Sequence, residues 1–138
     1  MFRHKGNQVW INGSFDVLHT GHIKLFRMAR VLAGINGKVW VGIDDDERIS
    51  SRKGPSRPIN TLKDRMMFLS SIKYIDVVVP FASDDELEHY ICEIEPDFML
   101  IGDDYRDKPI IGSVFIKEII YITRDGKSSS DLISRIYG

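Results

Sequence analysis

The chain has 138 residues, 43% of them apolar and 28% charged, with 19 Lys and Arg against 20 Asp and Glu for a formal net charge of -1. A chain of this length buries roughly two-thirds of its unfolded surface, so one globular domain spanning 1-138 needs neither disulfides nor a structural metal. The balanced charge excludes a general field for nucleic acid or anionic lipid, so any anion must be held locally, and the single cysteine, Cys92, excludes an internal disulfide.

In chain order, Met1 to Gln8 is charged and lacks the apolar stretch of a signal peptide, and no later run approaches the roughly 18 apolar residues of a membrane span. A cytoplasmic protein with no membrane or nucleic-acid partner is expected. A first strand is predicted at Val9 to Asn12 and a helix over about His22 to Leu32. A second strand, Lys38 to Ile43, runs into the acidic loop Asp44-Asp45-Asp46 and the basic, loop-like Ser51 to Arg57. Next come a helix over Asn60 to Ser71 with Asn60 as its cap, and a third strand at Ile75 to Pro80. The helix over Asp84 to Glu93 is preceded by Ser83, with Glu86 at capping-box spacing. A fourth strand (Asp97 to Ile101), a weakly helical stretch (Ile111 to Lys117), a fifth strand (Ile119 to Ile122) and a last helix (Ser129 to Tyr137) complete the chain.

Strands alternating with helices predict a doubly wound, Rossmann-like α/β fold with five parallel strands and helices on both faces. Such sheets bind ligands beyond the carboxyl ends of their strands, near the point where strand order reverses. Every predicted strand end except the third carries polar chemistry: Gly13 to His22, Asp44 to Asp46, Gly102 to Tyr105, and Arg124 to Ser130.

The segment His19-Thr20-Gly21-His22 puts two imidazoles at a helix start with a glycine between them. Backbone can approach a ligand there and N–H groups face outward, which is the outline of a phosphate site. Imidazoles so placed can stabilise negative charge that redistributes in a phosphoryl-type transfer. The plainer reading is two histidines that cap and pack. Zinc would need a third and a fourth ligand and only Asp16 lies near in sequence, so no protein-held metal is expected.

The run Gly13-Ser14-Phe15-Asp16-Val17-Leu18-His19-Thr20-Gly21-His22 resembles the GxFDxxHxGH signature of the nucleotidyltransferases that include cytidylyltransferases and small adenylyltransferases. The resemblance extends through Arg52-Lys53-Gly54, Ser56 to Asn60, Asp64-Arg65-Met66, Glu95-Pro96-Asp97, Gly102 to Tyr105 and Asp125 to Ser130, about Val9 to Ile136 in all. The chain looks most like the heptose 1-phosphate adenylyltransferase domains of ADP-heptose synthases, and next like the glycerol-3-phosphate cytidylyltransferases. That resemblance implies nucleotidyl transfer from ATP or CTP to a phosphorylated small molecule such as D-glycero-D-manno-heptose 1-phosphate, with Mg²⁺ carried mainly by the triphosphate, in a homodimer.

By the same resemblance His19, His22 and Lys53 are catalytic, and Gly13, Ser14, Phe15, Asp16, Gly21, Arg65, Gly102, Asp103, Asp104, Ser128 and Ser129 hold nucleotide or phosphate. Asp46 and Arg57 are candidate contacts to substrate or ribose. Each has a plainer alternative: a solvated loop for Lys53, a surface helix position for Arg65, a solvated or capping acid for Asp46, a strand-ending turn for Asp103 and Asp104. Two positions depart in opposite directions. Thr123 stands where glycerol-phosphate cytidylyltransferases carry arginine, whereas Gly102-Asp103-Asp104 is closer to their loop than to the Gly-Gly-Asp of the heptose enzymes. ATP and CTP therefore both stay open. A nucleotide-binding module without catalysis is the alternative of another class, and intact His19, His22 and Lys53 argue against it.

Overall fold

The computed structural model describes residues 6–123; the predicted last helix, with Ser128 and Ser129, lies outside the described residues. Five strands, β1 (Gln8–Gly13), β2 (Lys38–Asp44), β3 (Val77–Phe81), β4 (Phe98–Gly102) and β5 (Glu118–Ile122), form one sheet in the order β3-β2-β1-β4-β5. Every neighbouring pair is parallel. The helices are α1 (Thr20–Ala33), α2 (Asp46–Lys53), α3 (Leu62–Ser70) and α4 (Asp84–Ile94). Alternating side chains of β1 show why its apolar run is continuous. Val9 and Ile11 pack with Phe26, Ala29 and Leu69 of α1 and α3 on one face, while Trp10 packs with Phe81, Leu87 and Ile91 on the α4 face. The Rossmann-like expectation therefore holds, with helices on both faces.

Trp10 is fully buried, and Gly42 of β2 makes its place: a β-carbon at Gly42 would lie 2.5 Å from the indole Cζ2. Gly42→Ala should therefore lower stability by about 1–3 kcal/mol through overpacking. Denaturant unfolding checks this, and an unchanged midpoint would contradict it.

Several boundaries differ from expectation for identifiable reasons. β3 starts at Val77 because the Asp76 carboxylate accepts the Val39 N–H (2.7 Å) and an Arg30 N–H (2.7 Å), taking the place of a ladder bond. Thr61 caps α3 in place of Asn60, its hydroxyl accepting from the Asp64 N–H. The stretch expected to be weakly helical holds one 3-10 turn, Ser113–Phe115, after Gly112 takes a left-handed φ of 80°. Ser83 does cap α4, but the Glu86 carboxylate reaches back to the N–H of Ala82, one residue beyond the reciprocal partner of a capping box.

The largest difference is α2, which occupies Asp46 to Lys53 where the acidic and basic loops were expected. Asp45 caps it by accepting from the Arg48 N–H, Asp46 and Glu47 sit in its first turn, and Arg52 and Lys53 sit in its last, so the charges complement the helix dipole at both ends. Arg48 locks the helix in place, donating to Asp44 (2.6 Å) and Asp84 (2.6 Å) and lying over the Phe81 ring. The bond from Arg48 holds the Asp84 carboxyl below its ordinary value, against the opposing effect of burial.

Candidate active site

The strand order reverses at β1, whose neighbours are β2 on one side and β4 on the other. β1 pairs with β2 over Gln8 to Gly13, but with β4 only at Val9 and Trp10, so the ladder between β1 and β4 ends well before their carboxyl termini. Gly13 to His19 leave this end of β1, and Gly102 to Asp104 leave that of β4. The switch-point crevice expected of this topology lies between them.

His19 and His22 cap α1 reciprocally. The Nδ1 of His19 accepts from the Gly21 N–H (3.1 Å), and the Nδ1 of His22 accepts from the His19 N–H (3.1 Å). The two rings lie 3.8 Å apart between centroids, inclined by 31°. A neutral imidazole whose Nδ1 accepts a bond must carry its proton on Nε2, so both rings are set as Nε2–H donors. The cap thus selects the tautomer whose outer nitrogen donates. Among the four helices of the described residues, α1 alone has no acidic side chain in its first turn, which leaves its positive dipole end uncompensated for an anion.

Gly21 serves the histidines more than the backbone. A β-carbon there would lie 2.8 Å from Cε1 and 3.0 Å from Nδ1 of His19. Gly21→Ala should displace that ring and lower turnover roughly tenfold to a hundredfold, since a misplacement of about 1 Å can cost that much. Steady-state kinetics of the variant check this, and wild-type turnover would contradict the crowding. Beneath the histidines Phe15, buried and held at a left-handed φ of 48°, lays its ring edge-on to His22 at 5.4 Å and against Phe26 at 5.3 Å. A phenylalanine in that backbone region is strained, and such strain is tolerated where surrounding packing enforces it.

Two further groups converge on the β1 loop. Lys53 ends α2 instead of standing in a loop, and its Nζ donates to Ser14 Oγ at 3.1 Å. Asp16, 1% exposed, accepts from the N–H groups of Ile59 (2.8 Å) and Asn60 (2.8 Å), while the Asn60 side chain donates to the Asp16 carbonyl (2.6 Å). Arg57 adds an ion pair to Asp16 at 3.7 Å. Arg65 is not a surface residue: it is fully buried and bonded to Ser14, Asp44, Asp46 and Asn60. Asp46, the possible ribose contact, accepts one of those bonds with its side chain 46% exposed. Asp103 and Asp104 form a 3-10 turn after Gly102, on the β4 side of the crevice, where Thr123 reaches the Asp103 carboxylate at 3.4 Å. Among the described residues no group of three or more His, Cys, Asp or Glu is placed to hold a metal ion.

Arg48 is not among the residues the sequence marks, although Asp44 and Arg48 at i,i+4 spacing with Asp45 as cap carry a legible helix signal. Asn60 reads from sequence as a helix cap, and its bonds to Asp16, 44 residues away, have no local signal.

Such a sheet, with its site at the switch point, defines a Rossmann-like α/β protein. Residues 10–125 match the family model described as cytidylyltransferase-like. The chain belongs to the cytidylyltransferase-like family, and with it to the nucleotidyltransferases. It is 40% identical to the bifunctional protein HldE of Helicobacter hepaticus over 93% of this chain and 26% of that protein. To the bifunctional protein HldE of Campylobacter concisus it is 39% identical, over 96% of this chain and 27% of that one. The chain therefore spans about a quarter of the length of these curated relatives. Its fold is similar to that of a lipopolysaccharide core biosynthesis protein from Thermoplasma volcanium, with a TM-score of 0.66 and 22% identity over 86% of this chain and 98% of that one. Among the described residues no helix is long and apolar enough to cross a membrane.

Proposed function

We propose that the chain transfers a nucleoside monophosphate from an NTP, ATP by preference, to a sugar 1-phosphate of the D-glycero-D-manno-heptose class, in the service of lipopolysaccharide biosynthesis. The observation that carries the chemistry is the reciprocal cap of His19 and His22, which sets two Nε2–H donors at the N-terminus of α1 beside the Lys53 to Ser14 contact. The motifs shared with heptose 1-phosphate adenylyltransferase domains, and the identity to the HldE proteins, support the acceptor.

In this reading an oxygen of the acceptor phosphate attacks the α-phosphorus in line. A new P–O bond forms, the bond to the β-phosphate breaks, and pyrophosphate leaves with the electron pair. No protein nucleophile is needed, since a phosphate monoester suffices, and the protein's work is positioning and charge stabilisation. His19, His22 and Lys53 oppose the negative charge on the phosphoryl oxygens, Gly13 to Asp16 and Gly21 shape the phosphate loop, and Gly102 to Asp104 meet the nucleotide across the crevice. Ser128 and Ser129 add hydroxyl and N–H donors to phosphate. Mg²⁺ enters as the Mg–NTP substrate, and the working form is a cytoplasmic homodimer.

Pyrophosphate release by the purified chain with Mg²⁺ tests this, with ATP and CTP crossed against heptose 1-phosphate and glycerol 3-phosphate. Release confined to ATP with heptose 1-phosphate is expected. Release confined to CTP with glycerol 3-phosphate would move the reading to a glycerol-3-phosphate cytidylyltransferase, which the Gly102-Asp103-Asp104 loop favours. Nucleotide binding without release in any combination would leave a binding module or another acceptor. Light scattering of the same preparation tests the dimer.

A further inference from the structure

Within that functional reading, we propose that Arg65 is a positioning residue that holds the phosphate-facing groups in register and does not itself bind phosphate. The guanidinium has no exposed surface, and every one of its nitrogens is engaged. Nε donates to the Asn60 carbonyl (3.0 Å), Nη1 donates to the carbonyls of Ser14 (2.9 Å) and Asp44 (2.7 Å), and Nη2 donates to Asp46 Oδ1 (2.7 Å). These bonds take four of the five guanidinium N–H groups, and a phosphate oxygen would have to enter the core to reach the fifth.

The four partners belong to three separate segments: the loop after β1, the end of β2 with the first turn of α2, and the segment before α3. Arg65 ties these together at one point, and each tie leads to the site. The Ser14 carbonyl fixes the residue whose hydroxyl receives Lys53. Asp44 and Asp46 fix the start of the helix that ends in Lys53. Asn60 is bonded in turn to Asp16 of the β1 loop. The rigid planar fork of arginine suits three carbonyls and a carboxylate in fixed directions, whereas the three donors of a lysine ammonium do not.

The test compares Arg65→Lys with wild type, using Arg65→Gln if the lysine variant does not fold, with steady-state kinetics, calorimetric ATP binding and thermal midpoints. The expected result is a kcat about tenfold to a hundredfold lower, with NTP KM and ATP Kd within about threefold of wild type, because the transition state alone loses alignment. In a Lys53→Ala background the same change should cost less than about threefold, since Arg65 acts largely through Lys53.

ATP affinity falling in step with kcat/KM would make Arg65 a phosphate ligand and overturn the proposal. So would effects that multiply independently with Lys53→Ala, an unchanged kcat beside a lowered midpoint, or failure of both variants to fold. If wild type binds ATP yet releases no pyrophosphate, the functional reading falls on its own. ATP binding then judges the clamp, with an unchanged Kd upholding it and a tenfold weakening overturning it.

Discussion

His22→Ala should lower the turnover for pyrophosphate release by roughly 10²–10³, the loss seen when one donor to a developing oxyanion is removed. The variant loses the Nε2–H donor and also the acceptor for the His19 N–H, which His22 Nδ1 engages at 3.1 Å. His19→Ala should cost a similar factor in rate and in addition about 1 kcal/mol of stability, because His19 is the N-cap whose Nδ1 satisfies the Gly21 N–H. The double variant should be little slower than either single one, since each ring holds the other's setting. Ground-state affinity for the NTP should change by less than the turnover in all three. Single-turnover kinetics beside calorimetry separate the two quantities; equal losses in binding and rate would show that the imidazoles bind substrate and transition state alike.

The second large effect is on stability. Asp16→Ala should destabilise the protein by about 3–5 kcal/mol, the range for breaking a buried charged pairing. Its carboxylate, 1% exposed, accepts two backbone N–H groups and faces Arg57. Alanine would leave those two N–H donors without their acceptor and take one charged contact from Arg57. Asp16→Asn should not rescue it fully, because an amide directs an NH₂ group at a donor and cancels the charge. Urea unfolding measures the loss, and a difference under about 1 kcal/mol would mean that water or a rearranged loop replaces the carboxylate. Because Asp16 also fixes Ile59 and Asn60, whose carbonyl receives Arg65, the segment ahead of α3 should lose order first.

The histidine pair at the start of α1 is legible because it is local. Two histidines three residues apart with a glycine between them can meet across one helix turn, and the spacing alone brings His19 and His22 to the same end of α1. The cap at Ser83 was legible for the same reason. The short helix α2 was missed because only Ile49 of its eight residues is buried, so no apolar period marks it, and its signal lies in charge placement at its two ends. From sequence Arg65 is a surface or phosphate-facing residue, because spacing says nothing of three carbonyls gathered from positions 14, 44 and 60.

By itself, then, the sequence determined the alternation of strands and helices, the continuous apolar runs of a sheet covered on both faces, and the helix start that carries the two histidines. These follow from side-chain period and from capping, which act over a few residues. The tertiary structure alone decided that β1 sits at the switch point, that Lys53 reaches Ser14 across 39 residues, and that a guanidinium lies buried among the loop carbonyls. The physical reason is that buried polar groups must find partners, and which partners are within reach is settled only when the parallel crossovers close the sheet and bring its strand ends together.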